Sequence, residues 1–92
     1  MRKFVWETPD EIDKQVAENV RKLRKRLGIS QKRLSELTGV SYGSIKRFEA
    51  TGAISFLALT KIAVELDAVD GIRELFTKVP YKSIEEVINE QK

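Results

Sequence analysis

The chain has 92 residues, 41% of them hydrophobic, with 17 Lys and Arg against 14 Asp and Glu for a formal net charge of +3. That length suits one small domain, whose single core buries roughly 60–65% of the surface an unfolded chain exposes. Cysteine and histidine are both absent, which excludes disulfides and thiolate metal sites and removes the commonest general base.

No apolar run approaches the ~18–20 residues of a membrane span, and no signal-peptide pattern opens the sequence. The expectation is a cytoplasmic, non-catalytic domain that needs neither cofactor nor metal and meets no membrane. Neither a glycine-rich phosphate loop nor a suggestive carboxylate pair points to an enzyme. Charge is unevenly spread. Residues 1–47 hold twelve basic and six acidic side chains, and residues 48–92 hold five basic and eight acidic ones. The positive half is where a polyanion would be met. Five of the six residues Arg21–Arg26 are basic, a run that by itself also fits an ordinary solvated helix face.

Apolar residues recur at three- and four-residue spacing almost throughout, and five glycines and two prolines punctuate them. An aromatic arm, Phe4-Val5-Trp6, comes first, within residues 1–8. Thr8 then caps a first helix with Pro9 at its first position and Glu11 closing a capping box. Ile12, Val16, Val20, Leu23 and Leu27 mark its expected buried stripe, and Gly28 ends it. Ser30 caps a second helix with Leu34 and Leu37 inward, ended by Gly39, where a tight turn requires positive φ. Ser41 caps a third, with Val40, Ile45 and Phe48 as core and Thr51-Gly52 as its break.

Ser55 caps a fourth helix with Leu59, Ile62, Ala63 and Leu66 inward and Leu57 partly so. Asp70-Gly71 opens a fifth through Ile72, Leu75 and Phe76. Pro80 interrupts, and Ser83-Ile84-Glu85-Glu86 is a second capping box leading to Val87 and Ile88. No repeat or linker is visible. The expectation is one all-α domain of five helices, with a core over 9–77, an arm over 1–8 and a tail over 78–92.

Gln31 through Phe48 holds the informative pattern. Two short helices crossing at roughly 90–120° need a small residue where they approach, a residue tolerant of positive φ at the corner, and an aliphatic pin. Ser35, Gly39 and Ile45 meet those needs. With the entry segment Leu23-Arg24 to Gly28-Ile29-Ser30-Gln31, these residues resemble the DNA-binding helix-turn-helix of the Cro/repressor (Cro/CI, or XRE) family over about residues 11–76. Ser35 stands where alanine is usual. The resemblance implies a lambda-repressor-like domain whose third helix enters the major groove.

Tyr42, Gly43, Ser44, Lys46 and Arg47 would then reach base edges, with Lys46 and Arg47 suited to the O6 and N7 acceptors of guanine. The matching glutamine, Gln31, would span a phosphate and a base-contacting side chain. Ser30, Lys32 and Arg33 at the start of helix 2, and Ser55 at the start of helix 4, fit phosphate oxygens. Lys22, Arg26 and Lys61 are weaker phosphate candidates, and Arg33 has Glu36 as an alternative partner. Ala50 stands where related domains often place a polar phosphate contact.

Such a module reads about half a palindromic operator, so a homodimer is expected. Phe4, Val5, Trp6, Leu75, Phe76, Tyr81, Ile84, Val87 and Ile88 are the candidates for its interface, although they would equally seal a monomer. Val40-Ser41-Tyr42-Gly43-Ser44-Ile45-Lys46-Arg47-Phe48-Glu49, Trp6-Glu7-Thr8-Pro9, Leu75-Phe76 and Tyr81-Lys82-Ser83-Ile84 together resemble the small HipB-like repressors encoded beside HipA-type serine/threonine kinases. That resemblance implies an antitoxin that represses its own operon and binds a kinase toxin. A stand-alone phage-type repressor would use the same scaffold. A protein-interaction module without DNA contact would not need the outward Lys46/Arg47 pair.

Overall fold

Residues 6–78 are described by a computed structural model. They form α1 (Pro9–Arg26), α2 (Gln31–Thr38), α3 (Tyr42–Thr51), α4 (Phe56–Glu65) and α5 (Val69–Arg73), with no strand among the described residues. The fold is all-α, as the spacing of apolar residues requires. The expectations for Phe4, Val5, Tyr81, Ile84, Val87 and Ile88, and for the capping box at Ser83, lie outside the described residues.

The helix starts follow from local chemistry. Thr8 Oγ1 accepts from the Glu11 N–H at 3.1 Å while Glu11 Oε1 accepts from the Thr8 N–H at 2.8 Å, so two otherwise orphaned donors satisfy each other. The hydroxyls of Ser30, Ser41 and Ser55 accept from the N–H groups of Arg33, Ser44 and Ala58 at 3.0, 3.1 and 3.1 Å. Each such cap is worth about 1 kcal/mol. Gly39 closes α2 at φ 79° with its N–H on the Ser35 carbonyl at 2.9 Å, which turns the chain directly into α3.

Leu34, Val40, Ile45, Ile62 and Leu66 form the buried core, with Val20, Leu23, Ile29, Ile54 and Ala58 packed around it. Phe48 and Ala17 are also buried. The apolar side chains of α2, α3 and α4 therefore converge on one point, and removing them from water provides the main driving force.

Several positions differ from the sequence expectation. On α1 the buried residues are Ala17 and Arg24, while Ile12 and Val16 are each 39% exposed and Leu27 49%. The small Ala17 side chain lets α1 come close to its neighbour, and a shift of one residue rotates a helix face by about 100°. Leu37 is exposed rather than inward, and Leu57 is exposed on the outer face of α4 beside Lys61 and Val64. α5 begins one residue earlier than expected and ends at Arg73, without a side-chain cap. Leu75 and Phe76, expected within that helix, lie beyond it, and Phe76 has φ 61° and is 94% exposed.

Candidate nucleic-acid interface

α3 is held from behind. Ile45 and Phe48 are buried, and one residue away on the helix Lys46 and Arg47 are exposed. The apolar positions that fasten the helix thus force its two cations outward. No carboxylate pairs with Lys32, Lys46 or Arg47 among the described residues, whose ion pairs are Arg21–Glu18, Arg24–Glu49, Arg33–Glu36 and Arg73–Asp70.

Lys46 Nζ lies 4.9 Å from the centroid of the Tyr42 ring, one helical turn earlier, in a cation–π contact. Tyr42 is 45% exposed, so its ring belongs to the surface. Ser41 donates to the Ser44 hydroxyl at 2.8 Å, which holds Ser44 over the first turn. Gly43 is exposed and a Cβ built there meets nothing within 4 Å. No steric demand of the fold accounts for that glycine.

A cleft of about 340 Å³ separates α3 from the start of α4, lined by Ser44, Arg47, Ala53, Ile54, Ser55 and Ala58. It brings two expected base-reading residues beside an expected phosphate ligand. The Ser30 and Ser55 hydroxyls accept from their own helices, which leaves their O–H groups free to donate to an anion. At α2, the Ser30 cap takes the Arg33 N–H, and the N–H groups of Gln31 and Lys32 sit in a first turn with no earlier carbonyl in reach. Arg33 does pair with Glu36, at 3.2 Å, with both side chains more than half exposed, so the pair is weak.

Not all the expected residues gather here. Lys22 and Arg26 line a separate shallow pocket with Asn19 and Leu23 on α1. Lys61 is exposed on α4, well after its N-terminal turn.

A buried polar network lies beneath this surface, and little in the sequence announces it. Arg24 Nε and Nη2 donate to Glu49 Oε2 and Oε1 at 2.7 and 2.8 Å, and Arg24 Nη1 donates to the Ile29 carbonyl at 2.7 Å. Gln31 Nε2 donates to Glu49 Oε1 at 2.8 Å. The side chains of the ion pair are 7% and 4% exposed. Burial alone would raise the Glu49 pKa. The hydrogen bonds from Arg24 and Gln31, with the charges of Arg24 and Arg21, outweigh it and hold the carboxyl below its ordinary range. This network joins the end of α1, the α1–α2 turn, the first residue of α2 and the back of α3. Its sequence signal was faint: an arginine in line with Ala17 on α1, and a glutamate directly after a core phenylalanine.

The family model described as Helix-turn-helix matches residues 20–70, more than half of the chain. Compared with curated proteins and with solved structures, the chain matches none. The match spans the Ser30, Ser41 and Ser55 caps, the Gly39 corner and the braced third helix, all placed as a groove-reading pair of helices needs them. The chain belongs to the helix-turn-helix family of the Cro/CI (XRE) type, a family of DNA-binding transcription regulators.

Proposed function

We propose that the chain is a sequence-specific, double-stranded DNA-binding repressor that acts as a homodimer on a palindromic operator. The observation that carries this reading is the exposed, carboxylate-free pair Lys46 and Arg47 on a helix fastened by Ile45 and Phe48. Arg47 and Lys46 read base edges, with Tyr42, Gly43 and Ser44 at the groove floor. Gln31, steadied by Glu49, reaches a phosphate and a neighbouring base-reading side chain. Ser30, Lys32, Arg33 and Ser55 meet the phosphates, which set register without reading sequence.

Two copies place their third helices in successive major grooves ~34 Å apart. Trp6, Leu75 and Phe76, exposed at 88%, 45% and 94%, supply apolar surface for that pairing. The HipB-like features of the arm, third helix and tail support an antitoxin that represses its own operon at the nucleoid and binds a HipA-like kinase. Selection of bound duplexes from a random library, followed by gel shifts of Arg47→Ala, tests the DNA reading. Specific binding that survives the substitution unchanged refutes the base-reading role. Co-purification with the product of a neighbouring kinase gene tests the antitoxin role, and its absence leaves a stand-alone repressor.

A further inference from the structure

An apolar groove of about 440 Å³ runs between α1, α4 and α5, with Val16, Asn19, Val20, Leu23, Ile62 and Leu75 among its walls. The first four recur along α1 at three- and four-residue spacing, a stripe against which another helix packs. Val16 is 39% and Leu75 45% exposed, so the described helices leave this stripe partly open. Its α1 rim is basic. Lys22 and Arg26 are exposed and share a second pocket with Asn19 and Leu23, and neither forms an ion pair among the described residues.

The described residues end at Lys78, shortly after the groove wall at Leu75, and residues 79–92 follow. Ser83 and Glu86 have the spacing of a capping box, and Ile84, Val87 and Ile88 share one side of the helix which that box predicts. Residues 84–90 hold three glutamates and no lysine or arginine. At about 100° per residue, Glu85 and Glu90 flank the apolar side and Glu86 lies opposite it. Residues 79–83, fully extended, reach up to about 17 Å, which exceeds the ~10–12 Å diameter of a helix and suffices to bring Ile84 back to the groove.

We infer that residues 84–90 of the same chain dock in this groove as a sixth helix. Ile84, Val87 and Ile88 pack on Val16, Val20, Leu23 and Leu75, with a glutamate-bearing flank toward Lys22 and Arg26. A short tether holds such a segment at an effective concentration in the millimolar range, so it outcompetes a dilute free partner. The opposite charges of segment and rim fix the register. Leu75 then belongs to the chain's own core, which leaves Trp6 and Phe76 for the pairing proposed above. The arrangement holds whether or not the chain reads DNA.

The chain has no cysteine, so introduced pairs in the full chain report the docking. Asn19→Cys is combined in turn with Ile84→Cys, Val87→Cys and Ile88→Cys, and with Glu86→Cys as the control. Mild oxidation of dilute protein is expected to give an intrachain disulfide with at least one of the three apolar positions and not with Glu86→Cys, read by mass and by non-reducing gel. Val87→Asp in the otherwise unchanged chain lowers the urea midpoint by roughly 1 M at every protein concentration. On a free tail that substitution leaves the midpoint where it was. Disulfides formed only between chains give the groove to a second copy and overturn the inference. Absence of an intrachain disulfide at all three positions leaves the groove to another protein and also overturns it. So does an unchanged midpoint, or an equal yield with Glu86→Cys.

Discussion

Arg24 and Glu49, 25 residues apart in sequence, meet as a doubly hydrogen-bonded ion pair sealed from solvent. The pair also takes in Gln31 and the Ile29 carbonyl, so the polar groups buried at this junction are satisfied. Breaking it from one side leaves a stranded charge, whereas removing both partners does not. Glu49→Ala is expected to cost about 3–5 kcal/mol in urea unfolding. Arg24→Met/Glu49→Leu should cost clearly less. Equal losses in the two variants would show that the pair itself, rather than the orphaned charge, sets the stability.

The same carboxyl predicts a pH dependence. Glu49 is held below its ordinary range in the folded chain, so the folded state binds its proton less readily than the unfolded state does. Its contribution is complete above the ordinary glutamate value of about 4.3 and is lost as pH falls toward and through the lower folded value. Glu49→Gln should flatten the acid limb of a stability–pH curve below about pH 4.3 and leave its slope near neutrality unchanged. An acid limb identical to that of the wild type would remove Glu49 from the titration.

Two glycines with similar φ separate backbone strain from crowding. Gly39 has φ 79° and open space where a Cβ would stand; Gly52 has φ 86° and would place a Cβ 2.8 Å from the Asp13 carbonyl carbon and 2.9 Å from the Lys14 nitrogen. Gly39→Ala should cost about 1–2 kcal/mol, the left-handed penalty alone. Gly52→Ala adds a backbone collision, for a total of roughly 2–5 kcal/mol. Thermal melts of the two variants check the order, and a reversed order would contradict the close α1–α3 approach.

Leu34 and Leu37 share a helix and a side chain but not an environment. Leu34 is fully buried and Leu37 37% exposed. Leu34→Ala is expected to destabilise by about 2–5 kcal/mol, and Leu37→Ala by no more than about 1 kcal/mol. Chemical denaturation of each single variant reads both values.

Base reading and phosphate contact have different signatures. Arg47→Ala should cost about 1–3 kcal/mol on the preferred duplex and relax preference at one position. Lys32→Ala should weaken all duplexes alike and reduce the slope of log K against log salt by about 0.9. Binding titrations across salt concentrations distinguish them. A sequence-selective loss for Lys32→Ala would exchange the two roles.

The sequence alone determined the helix starts, the turns and the middle of the core. Thr8, Ser30, Ser41 and Ser55 cap through contacts three residues along the chain, and Gly39 turns the chain through its own φ. Those effects are local, so spacing and residue type reveal them. Ile45 and Phe48 likewise announced the buried side of α3, and thereby the outward side that holds Lys46 and Arg47. Only the tertiary structure decided which side of α1 is covered, because that depends on where α3 comes to lie. It placed Arg24 in the interior and left Ile12, Val16 and Leu27 partly outside, though by hydrophobicity they rank the other way. Only the assembled helices could also show that Arg24, Gln31 and Glu49 share one site, since an ion pair forms across distance in space and leaves no period in the sequence. The apolar groove between α1, α4 and α5 is of the same kind. Spacing marks a side chain as apolar, but whether it is covered depends on the number and placement of the elements around it.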